Sequence, residues 1–319
     1  MRGGPLAKFE VARFGFHLVV ETPLYLPEHG SSAFRGGFGH VFRKVACPLG
    51  CTRECQRPQT CTYAYVFETP VPSGSRILAE VGSAPRPFVI EAEQPGGRQR
   101  QPGERLEFGL VLIGRAIGYL PYFIYAFEEL GRVGLGPARG RYRLERVESL
   151  AWPAGAAVLY EAASRRVAEV HCRMNPTEAC SPPPPAGPLA LEFVSPTQLP
   201  FQGSRNATGI RFHVLFRNLL RRVNFLNYFH CGGELMDEAG SLVEKASAIA
   251  TVEAALEWKT WDRYSNRQAQ RIPMRGFTGR VTYRGDFAPF WPWLAAGEFV
   301  HVGKSATFGL GRYRLVSLQ

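Results

Sequence analysis

The chain has no run of about 18 consecutive apolar residues, the length a membrane-crossing helix requires, so membrane-spanning classes are not expected. It has no Walker phosphate loop, no His-Glu-x-x-His helix and no nucleophile elbow. It also lacks a cluster of acids suited to two-metal chemistry. These absences point away from nucleotide-driven work, zinc proteolysis and serine hydrolysis, and toward chemistry that needs no bound divalent metal. Acids are scarce relative to bases: 27 Asp and Glu against 38 Lys and Arg leave a net charge of +11 over 319 residues. Met1-Arg2-Gly3-Gly4 leads into a strand pattern, without the apolar core of a signal peptide. The seven cysteines are odd in number and unevenly spaced. A cytoplasmic protein with mostly reduced thiols is the expectation.

What is present is basic charge, spread over the whole length. Bases outnumber acids 22 to 17 over residues 1–186 and 16 to 10 over 187–319. One polyanion running across both halves would use such a distribution; a solvated basic surface is the plainer alternative. Locally the contrast is sharper. Residues 259–314 hold ten Lys and Arg against three acids, whereas 234–257 hold six acids and one Lys. Tyr264, Phe277, Tyr283 and Tyr313 lie among the bases, placed either to stack on nucleobases or to fill a core.

Two segments echo one another. Gly134-Leu135-Gly136 followed by Arg141-Tyr142-Arg143-Leu144 matches Gly309-Leu310-Gly311 followed by Arg312-Tyr313-Arg314-Leu315. A repeat about half a chain apart suggests a duplicated domain and not a solenoid, whose period is roughly 20–50 residues. The expected elements fit. Residues 8–21 alternate as a strand, and 31–46 read as a helix with Ser31 or Ser32 as N-cap. Pro87–Glu93 and Arg105–Arg115 read as strands, Gly118–Leu130 as a helix and 141–148 as a strand. Residues 152–171 are open, with an added helix as one reading. The second half reads as a strand at Leu189–Val194, a helix at Gly209–Phe229 and a helix at Leu242–Trp258. A strand at Arg275–Tyr283, a Pro-interrupted turn or helix at Phe287–Ala296 and a strand at 311–318 complete it. Both halves suit a β-α-β-β-α-β order. The fold class expected is α+β, two tandem ferredoxin-like domains with antiparallel sheets and helices on one face. The boundaries are 1–173 and 189–319, joined by a linker at 174–188 with six prolines.

The C-terminal glycine segment reads as a flexible, basic loop. Gly303, Gly309 and Gly311 would present bare N–H groups, beside Lys304 and Arg312. On the helix at 31–46, Phe34, Phe38, Val41, Phe42 and Val45 fall on one arc. Gly36, His40, Arg43 and Lys44 fall opposite. His40 beside Arg43 and Lys44 could serve as a general acid or base next to a phosphate, or be an ordinary exposed histidine. His29, in the loop before the helix, and His301, in the glycine loop, are further candidates. Arg263, Arg267 and Gln268 could hold phosphates or bases, or lock a turn. Cys47, Cys51, Cys55 and Cys61, spaced Cys-x3-Cys-x3-Cys-x5-Cys, suit a structural tetrahedral zinc, or less readily an iron–sulfur cluster. Free or partly disulfide-bonded thiols are the alternative. Four thiolates leave no open position, so such a metal would not be catalytic.

The terminal His-Val-Gly-Lys-x3-Phe-Gly-Leu-Gly-x-Tyr resembles the glycine-rich signature of CRISPR-associated precursor-crRNA-processing endoribonucleases, a branch of the RAMP superfamily. Phe34-Arg35-Gly36-Gly37-Phe38-Gly39-His40 is similar too, as is the cysteine loop ending in Cys61-Thr62-Tyr63-Ala64-Tyr65-Val66-Phe67-Glu68. So are Phe193-Val194-Ser195-Pro196-Thr197 and Arg263-Tyr264-Ser265-x-Arg267-Gln268. Together these span nearly the whole chain. The resemblance implies tandem ferredoxin-like domains, with the glycine loop gripping CRISPR repeat RNA. It implies one cut without a catalytic metal or cofactor, by 2′-hydroxyl attack, leaving a 2′,3′-cyclic phosphate and a 5′-hydroxyl. The catalytic candidates it implies are His40 or His29; on the chemistry of the residues themselves, Lys44 or Arg43 would stabilise the phosphate. Arg35, Arg43, Arg263, Arg267, Gly303, Lys304, Gly309, Gly311 and Arg312 would contact RNA. Other CRISPR effector subunits are expected as further partners. A non-catalytic crRNA-binding subunit of the same superfamily is the alternative function.

Overall fold

The computed structural model describes residues 4–318 except 29, 48, 52–54, 56, 59, 73–74, 76, 78–82, 93–96, 152–154, 170–171, 180–182, 201–209, 237 and 266–269. The chain divides into two compact units, Glu10–Met174 and Met1–Phe9 with Asn175–Gln319.

In chain order the first unit runs β1 (Val11–Val20), β2 (Leu24–Leu26), α1 (Ser31–Ala46), β3 (Phe88–Glu91), β4 (Arg98–Arg100), β5 (Arg105–Ile113), α2 (Leu120–Val133), β6 (Tyr142–Ala151), β7 (Gly155–Glu161) and β8 (Arg166–Val167). Its main sheet has the order β3-β5-β1-β6-β7-β8 with all pairs antiparallel. Without β7 and β8 this is the ferredoxin-like order, the four strands and two helices of β1-α1-β3-β5-α2-β6. The alternation in β1 places Phe14, Phe16 and Leu18 in the core and Arg13 and His17 on the other face. There Arg13 pairs with Glu91 and His17 sits between Glu107 and Glu148. Helices α1 and α2 close the apolar face through Phe38, whose ring lies 5.0 Å from Phe123 and 4.9 Å from Phe127. Each buried phenylalanine stabilises by about 1.5–3 kcal/mol.

The second unit runs α3 (Pro176–Ala179), β9 (Leu189–Thr197), α4 (Phe212–Cys231), α5 (Ala239–Lys245), β10 (Ala250–Ser265), β11 (Gln270–Arg284), α6 (Trp291–Val300) and β12 (Tyr313–Ser317). Its sheet order, β10-β11-β9-β12, is the same topology, again all antiparallel. The core forms around Phe212, Phe216, Tyr283 and Phe290.

The repeated motif has a packing reason. Tyr142 and Tyr313 each begin the fourth strand of their unit, and both are buried. Tyr142 donates its hydroxyl to Phe127 O in α2 at 2.8 Å, and Tyr313 donates to Leu294 O in α6 at 2.7 Å. Gly131 in α2 and Gly297 in α6 leave the space these tyrosines fill, since a Cβ at either would overlap its tyrosine. Both copies therefore pin the last strand beneath the second helix by one device.

Several expectations are corrected. Residues 242–258 are not one helix: α5 ends at Lys245, a 3-10 turn covers Ala246–Ala248 and β10 follows. Val252, Ala254, Leu256 and Trp258 alternate with period two, and pairing with β11, broken by one bulge at Val252, satisfies a backbone that a helix would have withdrawn from the sheet edge. Within 152–171 the chain forms β7 and β8, not a helix. The N-cap of α1 is Gly30 without a side-chain cap. Ser31 instead accepts a bond from Ala92 N at 2.8 Å, tying the helix start to the chain after β3. Phe277, Tyr283 and Tyr313 are core residues and unavailable for base stacking; the Tyr264 side chain lies outside the described residues.

Candidate nucleic-acid interface

On α1 the residues Gly36, His40 and Lys44 are four apart, and all three are exposed. They form one stripe along the outer face, opposite Phe34, Phe38 and Phe42. His40 and Lys44 make no hydrogen bond or ion pair among the described residues. A Cβ at Gly36 would meet nothing within 4 Å, so the stripe is open. The neighbouring glycines have internal reasons. A Cβ at Gly37 would lie 2.6 Å from Leu130, and one at Gly39 would enter the Phe67 ring.

Arg35 and Arg43 lie differently from His40. Both turn toward the segment that follows the cysteine loop, a π-turn at Ala64–Glu68. The Arg35 guanidinium stacks 4.6 Å from Phe67, and that of Arg43 stacks 4.7 Å from Tyr63 while pairing with Glu68 at 3.5 Å. Tyr63 donates to Glu68 at 2.8 Å. Burial, reinforced by the Glu68 carboxylate, pushes the Tyr63 hydroxyl up to about 12. Arg86, which no sequence signal singled out, donates to Phe67 O. The two α1 arginines thus brace this segment against the helix. His29 lies outside the described residues.

In the second unit the glycine loop runs from His301 to Arg312, and its backbone is clamped, not flexible. Val302 N donates to Gly311 O at 2.9 Å, Lys304 N to Gln198 O at 2.9 Å and Gly311 N to Pro196 O at 3.0 Å. Gly309 N donates to Ala306 O at 2.9 Å. Arg312 N donates to Ser195 Oγ at 2.8 Å, and that hydroxyl donates to Gly309 O at 2.8 Å. The expected bare donors at Gly309 and Gly311 are therefore consumed inside the protein. Positive φ at Gly303 (87°), Gly309 (74°) and Gly311 (77°) explains the glycines. Ser195-Pro196-Thr197-Gln198, at the end of β9, supplies the docking points. A polar residue and a proline leaving a strand were the available signal for this.

His301 is fully buried, and its Nδ1 lies 3.2 Å from Leu310 O, so it is a structural residue of the loop. Arg222, from α4, lies half-buried at the loop's root. Its Nε donates to Val300 O at 2.8 Å, capping the C-terminus of α6, and burial pulls its guanidinium down to about 10. Lys304 and Arg314 are exposed and Arg312 is half-buried. Arg263, on β10, stacks 4.7 Å from Phe308 of the loop, and burial lowers its pKa. That contact ties the loop to the β10–β11 hairpin, which continues to Ser265 opposite Gln270, past its last pairing with β9 at Phe277 opposite Thr197. Arg271 and Arg275 are exposed on it, the latter 5.5 Å from the half-exposed Trp258 ring. Arg267 and Gln268 fall outside the described residues. The second unit thus brings Lys304, Arg312 and Arg263 to one loop and the strand beside it.

No helix among the described residues is long and apolar enough to cross a membrane. Residues 9–171 match the family model of an N-terminal domain designated AF_1859_N, and residues 191–313 match that of the CRISPR-associated endoribonuclease Cas6. An uncharacterized protein of Archaeoglobus fulgidus is 26% identical over 305 residues, covering 92% of this chain and 93% of that one. Among solved structures, a Cas6 product complex superposes with a TM-score of 0.57 at 18% identity over 96% of this chain and 100% of the other. Thermus thermophilus Cas6 gives 0.53 at 16% identity, over 97% and 99%. These superpositions show the fold, two ferredoxin-like units in tandem. The first unit thus carries the AF_1859_N domain and the second is similar to the Cas6 endoribonucleases, a likeness that supports a part in CRISPR RNA processing.

Proposed function

We propose that the chain cuts CRISPR repeat RNA in precursor crRNA by metal-independent transesterification. The 2′-oxygen of the nucleotide before the cut bonds to phosphorus and the P–O5′ bond breaks. One group takes the 2′-hydroxyl proton and another protonates the departing 5′-oxygen, leaving 2′,3′-cyclic phosphate and 5′-hydroxyl ends. His40 is the acid or base, and Lys44, one turn on, stabilises the charge on the phosphorane. The observation that carries this reading is the open stripe Gly36-His40-Lys44. It offers an imidazole and an ammonium without partners among the described residues, beside the backbone of Gly36, where a Cβ would meet nothing within 4 Å. Lys304 and Arg312 hold the RNA backbone, with Arg263 from the neighbouring strand and, from the sequence reading, Arg267. Since the Gly309 and Gly311 amides are used internally, side-chain charge supplies most of the loop's grip. Association with other CRISPR effector subunits belongs to the same proposal.

The test is cleavage of end-labelled repeat RNA from the same locus in EDTA. A single cut is expected, and it should vanish when the cut-site 2′-hydroxyl is replaced by hydrogen. RNA that binds tightly but stays intact with EDTA and with Mg²⁺ would instead identify a crRNA-binding subunit. In the same assay Lys304→Ala should weaken RNA binding and reduce the salt slope by roughly 0.7, the value for one phosphate contact on a single strand.

Gly36→Ala separates stability from approach. The added methyl has free space and should raise helix stability by up to about 1 kcal/mol. It should nevertheless slow cleavage, because it stands where the RNA meets the helix. A stabilised variant with unchanged cleavage would show that RNA does not pack on this face.

A further inference from the structure

Cys47, Cys51, Cys55 and Cys61 are free thiols and form no metal-holding group among the described residues. The feature of the same unit that points to a ligand is aromatic. It lies at the start of α2 and in the 3-10 turn Gly114–Tyr119 before it. Tyr122 and Tyr125 are 43% and 50% exposed, and neither makes a hydrogen bond among the described residues. Tyr119 is half-buried, its ring 6.1 Å from Tyr122 on one side and 5.6 Å from Tyr65 on the other. Tyr65 comes from the Ala64–Glu68 turn, and the exposed Arg115 places its guanidinium 3.9 Å over that ring. One cation and three rings therefore touch in series, with Tyr125 one turn further along α2.

The second half of α2 has an ordinary charged surface, in which Glu128 and Glu129 pair with Arg132. Residues 114–127 hold no acid and one base, Arg115. A contiguous exposed patch of this kind marks an interaction site. Its chemistry favours a nucleic acid: tyrosine rings offer flat faces to bases, and a cation with no acid near it in sequence suits phosphate. Its position agrees. The Phe42 ring in α1 lies 5.2 Å from Phe123 in the first turn of α2. The Lys44 end of the Gly36-His40-Lys44 stripe and the tyrosines thus share one end of the unit.

We propose that this surface binds unpaired nucleotides of the RNA beside the cut, with bases stacked on Tyr122 and Tyr125 and a phosphate held by Arg115. Paired RNA hides its base faces, so only unpaired nucleotides fit. The contact reads no sequence, because every base has a ring face. The proposal deepens the RNA reading and rests on it.

The test uses the full chain and uncleavable 2′-deoxy repeat RNA carrying 2-aminopurine at single positions on either side of the cut. Stacking on tyrosine should quench the fluorophore at one or more of these positions. Tyr122→Ala/Tyr125→Ala should abolish that quench and weaken binding at least about fivefold, the low end for one stacked base. Tyr122→Phe/Tyr125→Phe keeps the rings and should preserve both. Arg115→Gln leaves every ring in place and should reduce the salt slope by roughly 0.7, one phosphate contact. Wild-type affinity and quench in the double alanine variant, with Lys304→Ala still weakening binding, would overturn this proposal and leave the RNA reading standing. No binding of repeat RNA by the unaltered chain would overturn both. A double alanine variant that binds RNA normally but loses self-association on sedimentation would make the tyrosines a protein-docking face, which also overturns the proposal.

Discussion

His40→Ala is expected to slow single-turnover cleavage of repeat RNA by about 10²- to 10⁴-fold, the usual worth of a positioned general acid or base. That range corresponds to roughly 3–5 kcal/mol of barrier. RNA affinity should change little, because phosphate contacts made elsewhere dominate it. The expectation rests on placement: His40 is exposed on α1, one turn from exposed Lys44 and one turn from uncovered Gly36. Quench-flow or manual time courses at saturating enzyme give the rate, and filter binding with uncleavable 2′-deoxy RNA gives the affinity. A variant that cleaves at the normal rate would remove His40 from the chemistry. A variant that loses affinity and rate together would make it a binding residue.

Gly311→Ala is expected to cost about 3 kcal/mol or more, through a strained backbone and a steric overlap together. Its φ of 77° disfavours any side chain, and a Cβ would overlap the Val302 carbonyl oxygen. That carbonyl belongs to the turn closed by Val302 N on Gly311 O, so it has little room to retreat. The Tm should fall by roughly 6–12 °C for a unit of this size. Gly136, its counterpart in the first unit, supplies the internal control. Its φ is 76°, but the nearest atom to a Cβ would be Tyr25 O at 3.4 Å. Gly136→Ala should therefore show the conformational strain alone, about 1–3 kcal/mol. Equal Tm losses for the two variants, measured by calorimetry, would mean that crowding at Gly311 contributes nothing.

The first β-α-β-β-α-β unit was legible element by element because its strands and helices carry clean period-two and period-3.6 patterns; in the second unit one strand was read as a helix. The duplication was legible in Gly-Leu-Gly and Arg-Tyr-Arg-Leu. The role of its tyrosines was not: burial beneath a helix depends on Gly131 and Gly297, which sit in other elements. β10 was misread because Val252 and Leu256 satisfy a helical spacing as well as an alternating one. Only pairing with β11 decides between them. At the candidate site, the outward face carrying His40 and Lys44 followed directly from helical geometry. Arg35 and Arg43 looked equivalent to them on charge, yet Phe67, Tyr63 and Glu68 claim them through contacts distant in sequence. The glycine loop misled in a similar way. Its composition suggests mobility, while the hydroxyl of Ser195 and the carbonyls of Pro196 and Gln198, a hundred residues earlier, hold it still.

That stillness has a thermodynamic corollary. A disordered basic loop would lose about 1–2 kcal/mol of backbone entropy per residue on gripping its ligand. The loop from His301 to Arg312 has surrendered that freedom during folding, so docking freezes only long side chains such as Lys304. Its association therefore carries little of the heat-capacity change that accompanies coupled folding. On the proposed reading the loop is a mould already set, and its affinity for RNA is expected to follow ionic strength more than temperature.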